Sequence, residues 1–93
     1  MLIKKEDGSV TFEFDQSTSH KVYLAGDFNG WNYSKTPMRK NPKGKYRVTL
    51  NLKPGRYQFR YYVDNNWYND NQADAYEHNT YGTDNSVVVV NKN

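Results

Sequence analysis

At 93 residues the chain lies near the lower end of the single-domain range, so one domain spanning residues 1–93 is expected and two separate cores are excluded. Hydrophobic residues make up only 35 % of it, yet 16 % are aromatic, with nine Tyr and two Trp, a composition that excludes a disordered segment. The absence of Cys excludes a disulfide framework and thiolate metal ligation, and a net charge of +3 is too small to argue by itself for a nucleic-acid partner.

Taken in chain order, the apolar residues alternate with period two, and no window of helical length sustains a 3.6 period. Residues 11–14 place Phe12 and Phe14 on one face, and residues 20–25 do the same with Val22 and Leu24. A turn at Gly26 and Asn29-Gly30 carries Trp31, and a second turn at Pro42 to Gly44 leads into residues 46–52, whose inward set is Tyr46, Val48, Leu50 and Leu52. Lys53-Pro54-Gly55 links this run to Tyr57, Phe59, Tyr61 and Val63, which leaves Gln58, Arg60 and Tyr62 on the opposite face. Asp64-Asn65-Asn66 turns into Trp67. Residues 68–81, rich in Asn, Asp and Tyr, read as a long irregular stretch, and residues 87–90 form a last strand after the turn at 82–85. Many short strands in a chain this long predict an all-β, two-sheet sandwich of immunoglobulin-like kind with about seven to eight strands; a small barrel is the alternative.

The core drawn from these strands is Phe12, Phe14, Val22, Leu24, Val48, Leu50, Leu52, Tyr57, Phe59, Tyr61 and Val63. Both Trp fall outside it, on loops or strand edges. Taken singly, each suits a plug at one end of the sandwich. Taken together, and flanked by Asn, Asp, Lys and Arg, they suit a sugar site: an indole face stacks on the C–H face of a pyranose while amides and guanidinium groups reach its hydroxyls. The same ingredients bind single-stranded nucleic acid, and residues 28–63 hold nine Lys or Arg and no acid. The five acids of residues 64–90, among which the second Trp sits, oppose a phosphate track.

The run Val22-Tyr23-Leu24-Ala25-Gly26-Asp27-Phe28-Asn29-Gly30-Trp31, followed by Pro37-Met38, Leu50-Asn51-Leu52-Lys53-Pro54-Gly55, residues 57–67, Asp70 and Gly82-Thr83-Asp84-Asn85-Ser86-Val87, resembles the family-48 carbohydrate-binding module over nearly the whole chain. That family includes the glycogen-binding domain of the AMP-activated protein kinase beta subunit and the early-set amino-terminal domains of isoamylase and glycogen branching enzyme. The resemblance implies an early-set sandwich and a non-catalytic site for α-1,4-linked glucan, whether glycogen, amylose, starch or a cyclodextrin. It implies that Trp31 and Trp67 stack on glucose rings and that Arg60 stands where the kinase-type domain uses a Lys. It further implies that Thr83 and Asn85 hydrogen-bond the sugar, with Tyr81 in place of a Leu at the rim. Asn65 stands near the Gly that usually precedes the second Trp, and Asn accepts the left-handed turn conformation. A glucan-active enzyme or a kinase is the implied partner, and the alternative function is a structural or partner-docking early-set domain with no glucan binding of its own.

Catalysis is not expected. Glycoside hydrolysis needs two carboxyls held roughly 5 to 9.5 Å apart across a cleft, and Asp64, Asp70 and Asp74 read as solvated turn residues. His20 and His78 lack ligand spacing, and residues 64–74 lack the Gly and terminal Glu of a calcium loop, so neither a metal nor a cofactor is expected. No apolar run approaches the roughly 20 residues of a membrane helix, and the first ten residues lack the apolar stretch of a signal peptide. The expectation is a cytoplasmic protein with no nucleic-acid or membrane partner.

Overall fold

The computed structural model describes residues 1–15, 21–80 and 82–91, and His20 and Tyr81 therefore lie outside the described residues. Nine strands occur among the described residues: β1 Leu2–Lys4, β2 Ser9–Phe14, β3 Val22–Gly26, β4 Arg39–Lys40, β5 Tyr46–Asn51, β6 Gly55–Val63, β7 Asn66–Tyr68, β8 Ala75–His78 and β9 Asp84–Val90. The only helical elements among them are single 3-10 turns at Asp27–Asn29 and Tyr33–Lys35, and no helix is long and apolar enough to cross a membrane.

All pairings are antiparallel. Sheet one runs β1-β2-β5-β4 and sheet two runs β3-β6-β9-β8, with β7 also on β6. At nine residues, β6 is long enough to serve two neighbours on one edge: β9 pairs with Gly55 to Phe59 and β7 with Tyr61 to Val63, while β3 holds the other edge. The sheets close on one another because the alternation sends one side of each strand inward. Phe12, Leu24, Phe59 and Tyr61 are fully buried, Val22 and Val63 nearly so, and the other expected core residues pack against them. Phe12 meets Phe59 edge-on at 5.0 Å between ring centres, the geometry that ring quadrupoles favour. Burying each such ring stabilises the sandwich by roughly 1.5–3 kcal/mol. Val10, Met38, Tyr46, Val88 and Val90 complete the core. Met38 arrives there because the chain after the second 3-10 turn runs along β3, with Leu24 N donating to Thr36 O and Met38 N to Val22 O, both at 2.9 Å.

Two expectations are corrected. The stretch from 68 to 81 is not irregular throughout: β8 lies inside it, paired with β9 from Ala75↔Val87 to His78↔Asp84. The ladder supplied by β9, rather than any apolar signal of its own, makes Ala75-Tyr76-Glu77-His78 a strand. Asp70 is not a solvated turn residue. It is 2 % exposed, its Oδ2 accepts from the Tyr61 hydroxyl at 2.7 Å and ion-pairs with the α-amino group of Met1, and its Oδ1 accepts from Gln72 N at 2.8 Å.

Candidate functional site

The register of sheet two decides which side chains meet on its outer face. With Phe59 and Tyr61 inward, Gln58, Arg60 and Tyr62 must point outward. Tyr62 is directly opposite Trp67 on β7 and opposite Tyr23 on β3, so Trp67 stands on the outer face of an edge strand, 41 % exposed, rather than on a loop. Arg60 is opposite Ala25, whose small side chain leaves room for the guanidinium stem.

Trp31 reaches the same face through a tightly wired turn. Asn29 Oδ1 accepts from Gly26 N at 3.0 Å, and Asn29 Nδ2 donates to Leu24 O and Thr36 Oγ1. Gly26 admits no side chain, since a Cβ there would lie 2.6 Å from the Gln58 carbonyl oxygen and 2.8 Å from the Phe28 ring. Trp31 itself sits in the left-handed region at φ 61°, held by its N–H on Gly26 O at 2.9 Å and by its Nε1–H on Asp27 Oδ1 at 3.0 Å. The indoles of Trp31 and Trp67 stand 6.4 Å apart between centres with their planes inclined at 60°.

A hydrogen-bonded chain runs from Trp31 across the face. Asp27 takes the indole N–H with one oxygen and the Gln58 backbone N–H with the other at 2.8 Å. Gln58 Oε1 accepts from Asn85 Nδ2 at 3.0 Å, and Asn79 Nδ2 donates to Asn85 Oδ1 at 3.2 Å and to Thr83 Oγ1 at 2.8 Å. Each amide is thus fixed in orientation by its neighbour. Arg60 differs. Its Nε is buried and meets no hydrogen-bond acceptor among the described residues, and burial holds its guanidinium below the ordinary arginine range by penalising the charge. It remains cationic at any physiological pH.

Trp31, Arg60, Trp67, Thr83 and Asn85 border one open depression of about 600 Å³, with Gln58 and Asn79 completing its wall. Tyr81 lies outside the described residues. Gln58 and Asn79 were not among the expected site residues. The outward alternation that selects Arg60 also points to Gln58, whereas Asn79 carried no signal because its segment read as irregular. Among the described residues no group of three or more His, Asp or Glu could hold a metal. The buried carboxylates are committed elsewhere: Glu13 to Arg47 Nε at 2.5 Å and Lys45 Nζ at 3.6 Å, Asp70 to Tyr61 and Met1.

Residues 8–93 match the family model described as the glycogen recognition site of AMP-activated protein kinase. This chain belongs to that family. It is 34 % identical over 70 residues to FLOURY ENDOSPERM 6, a chloroplastic protein of rice, which covers 75 % of this chain and 13 % of that protein. It is 32 % identical over 72 residues to the rat 5'-AMP-activated protein kinase subunit beta-1, covering 77 % of this chain and 25 % of the subunit. A third relative, the chloroplastic PTST homolog 2 of Arabidopsis, is 33 % identical over 51 residues, or 55 % of this chain. The chain thus spans a quarter or less of the length of these relatives. With two chloroplastic proteins among them, residence in the cytoplasm is not a trait of these relatives as a group.

Proposed function

We propose that the depression on the outer face of sheet two binds α-1,4-linked glucan without catalysing any change in it. The observation that carries this reading is the inclined pair Trp31 and Trp67 beside side-chain amides already locked in position. The two indoles offer flat apolar walls to successive glucose rings. Asn79, Thr83, Asn85 and Gln58 offer oriented donors and acceptors to hydroxyls, and the Arg60 guanidinium reaches the same space from below. Because the polar groups are pre-ordered, little side-chain entropy is lost on binding. Tyr81 is proposed to border the same site. Membership in a glycogen-recognition family supports this substrate class, and a glucan-active enzyme or a kinase subunit is the proposed partner of the module.

The charge layout favours a neutral ligand over a polyanion. Arg39, Lys40 and Arg47, the heart of the acid-free stretch, belong to β4 and β5 in sheet one, whereas Trp67 belongs to sheet two, which also carries Glu77 and Asp84. Calorimetric titration with maltoheptaose at two salt concentrations tests the reading, and affinity is expected to change little with salt. Trp67→Ala should weaken binding by at least about fivefold, in keeping with roughly 1–3 kcal/mol per stacked aromatic. Trp31→Gly should do the same while relieving the left-handed backbone, so its fold is retained. Undiminished binding in the double variant would show the site to be wrong, and no response of the wild type would leave a structural or docking role.

A further inference from the structure

The aromatic face of sheet two does not end at Trp67. Tyr62 contacts Trp67 at 4.7 Å between ring centres, Tyr33 lies over Tyr62 at 4.2 Å, and Tyr23 meets Tyr33 at 5.5 Å. With Trp31, five rings form one unbroken run across β7, β6 and β3. Past Tyr62 the run opens into a second depression of about 500 Å³, lined by Tyr23, Tyr33 and Tyr62 together with Lys21, Asp64 and Asn65. It shares no lining residue with the first.

Core packing does not account for this arrangement. None of the three Tyr belongs to the core cluster, and Tyr33 is 38 % exposed on a single 3-10 turn. Its ring stacks on Tyr62 with the planes inclined by 32°, so Tyr62 supports from beneath a shelf made by the partly exposed Tyr33 ring. The lip beside the shelf is rigid: Asp64 exchanges hydrogen bonds with Lys21, its Oδ1 accepting from Lys21 N and its N–H donating to Lys21 O, both at 3.1 Å. A flat aromatic shelf edged by a carboxylate, an amide and an ammonium matches a ligand with apolar ring faces and many hydroxyls.

We propose that this second depression is a further sugar subsite, occupied by glucose units of the same glucan chain that fills the first. The inference rests on the glucan reading of the first site. The occupant follows from continuity, since the Trp67–Tyr62 contact joins the two depressions without a polar break. A chain long enough to span both gains from linkage, because its second contact is made at high effective concentration, whereas a short oligosaccharide fills only one.

The test compares maltotriose with maltoheptaose on the wild type, Tyr33→Ala, Tyr33→Leu and Tyr33→Trp. Tyr33→Leu keeps apolar volume against Tyr23 and Tyr62 but removes the flat face, so it separates stacking from packing. Maltotriose affinity should stay within about twofold in all variants, while maltoheptaose affinity falls roughly fivefold or more in the Ala and Leu variants and is retained in the Trp variant. Equal losses on both sugars, or no loss on the longer one, would overturn the subsite. Amide spectra of the wild type separate this failure from that of the first site. Shifts from maltoheptaose at Tyr33, Tyr62 and Asn65 as well as at the two Trp support it. Shifts confined to the two Trp remove the second subsite alone, and no shifts at all remove both.

Discussion

Asn79 is held within the proposed site through both its backbone and its side chain. Its backbone N–H donates to Thr83 O at 2.8 Å, its Oδ1 accepts from Thr83 N at 3.2 Å, and its Nδ2 serves Thr83 Oγ1 and Asn85 Oδ1. Asn79→Ala frees the Thr83 hydroxyl and removes one of the two bonds that orient Asn85, whose bond to Gln58 remains, while leaving the β8–β9 ladder intact. Glucan affinity should therefore fall several-fold, whereas the melting temperature should drop by only about 4–8 °C, because water replaces the three exposed or half-buried side-chain bonds and their summed net cost is roughly 1 kcal/mol. Parallel calorimetry and thermal melts check the pair of outcomes, and a large thermal loss with unchanged affinity would contradict it. Thr83 and Asn85 could be named from the family likeness alone, the two Trp from that likeness and from standing outside the strand core, and Arg60 from the likeness and its outward alternation. Asn79 could not: its importance comes from hydrogen bonds across a hairpin whose first strand has no apolar pattern. Asp27 was hidden likewise, since joining the Trp31 indole to Gln58 requires β3 and β6 to be neighbours.

At the scale of elements, the β6–β7 hairpin sets where Trp67 stands. Its two turn residues, Asp64 at φ 47° and Asn65 at φ 70°, are both left-handed, the two-residue turn whose twist matches paired strands. Asn tolerates that conformation, and a β-branched residue does not. Asn65→Val should cost about 1–3 kcal/mol in urea denaturation and displace β7, so that glucan affinity falls with stability. Asn65→Gly should be neutral or slightly stabilising and keep maltotriose binding at the first depression, which isolates the backbone from the amide. The same logic explains which elements were legible. The strands β2, β3, β5 and β6 carry their own alternation, and β9 carries a run of four Val. By contrast β1, β4, β7 and β8 have two to four residues each and exist because a stronger neighbour offers them a ladder, as β2 does for β1. The turn at Asp64-Asn65 was visible in sequence, but the strand it starts was not.

At the scale of the molecule, the two sheets are joined by a buried polar cluster as well as by the apolar core. Tyr61 on β6 donates its hydroxyl to Asp70 at 2.7 Å and lies 3.3 Å from the Glu13 carbonyl on β2, while Asp70 N donates to Ser86 Oγ on β9. Burial pushes the Tyr61 phenol well above its ordinary pKa of 10.0, and the charges of Asp70 and Glu13 and the hydrogen bond to Asp70 push it the same way. In the unfolded chain this Tyr titrates near 10. Below that pH both states keep the proton, and the contribution of Tyr61 to stability is fully present. Above it the unfolded state binds fewer protons than the folded one, so stability falls as pH rises, by up to about 1.4 kcal/mol per pH unit, until the folded-state pKa is passed. Urea midpoints taken between pH 8 and pH 11.5, about the unfolded pKa of Tyr, should show this decline in the wild type. Tyr61→Phe should start lower, because Asp70 loses a buried donor worth about 1–3 kcal/mol, and should decline less steeply, so that the two curves converge. The remaining Tyr are common to both proteins, and their ionisation cancels in the comparison. Curves that stay parallel to the top of the range would show that Tyr61 does not keep its proton in the folded state. The cluster would then join the sheets by packing alone.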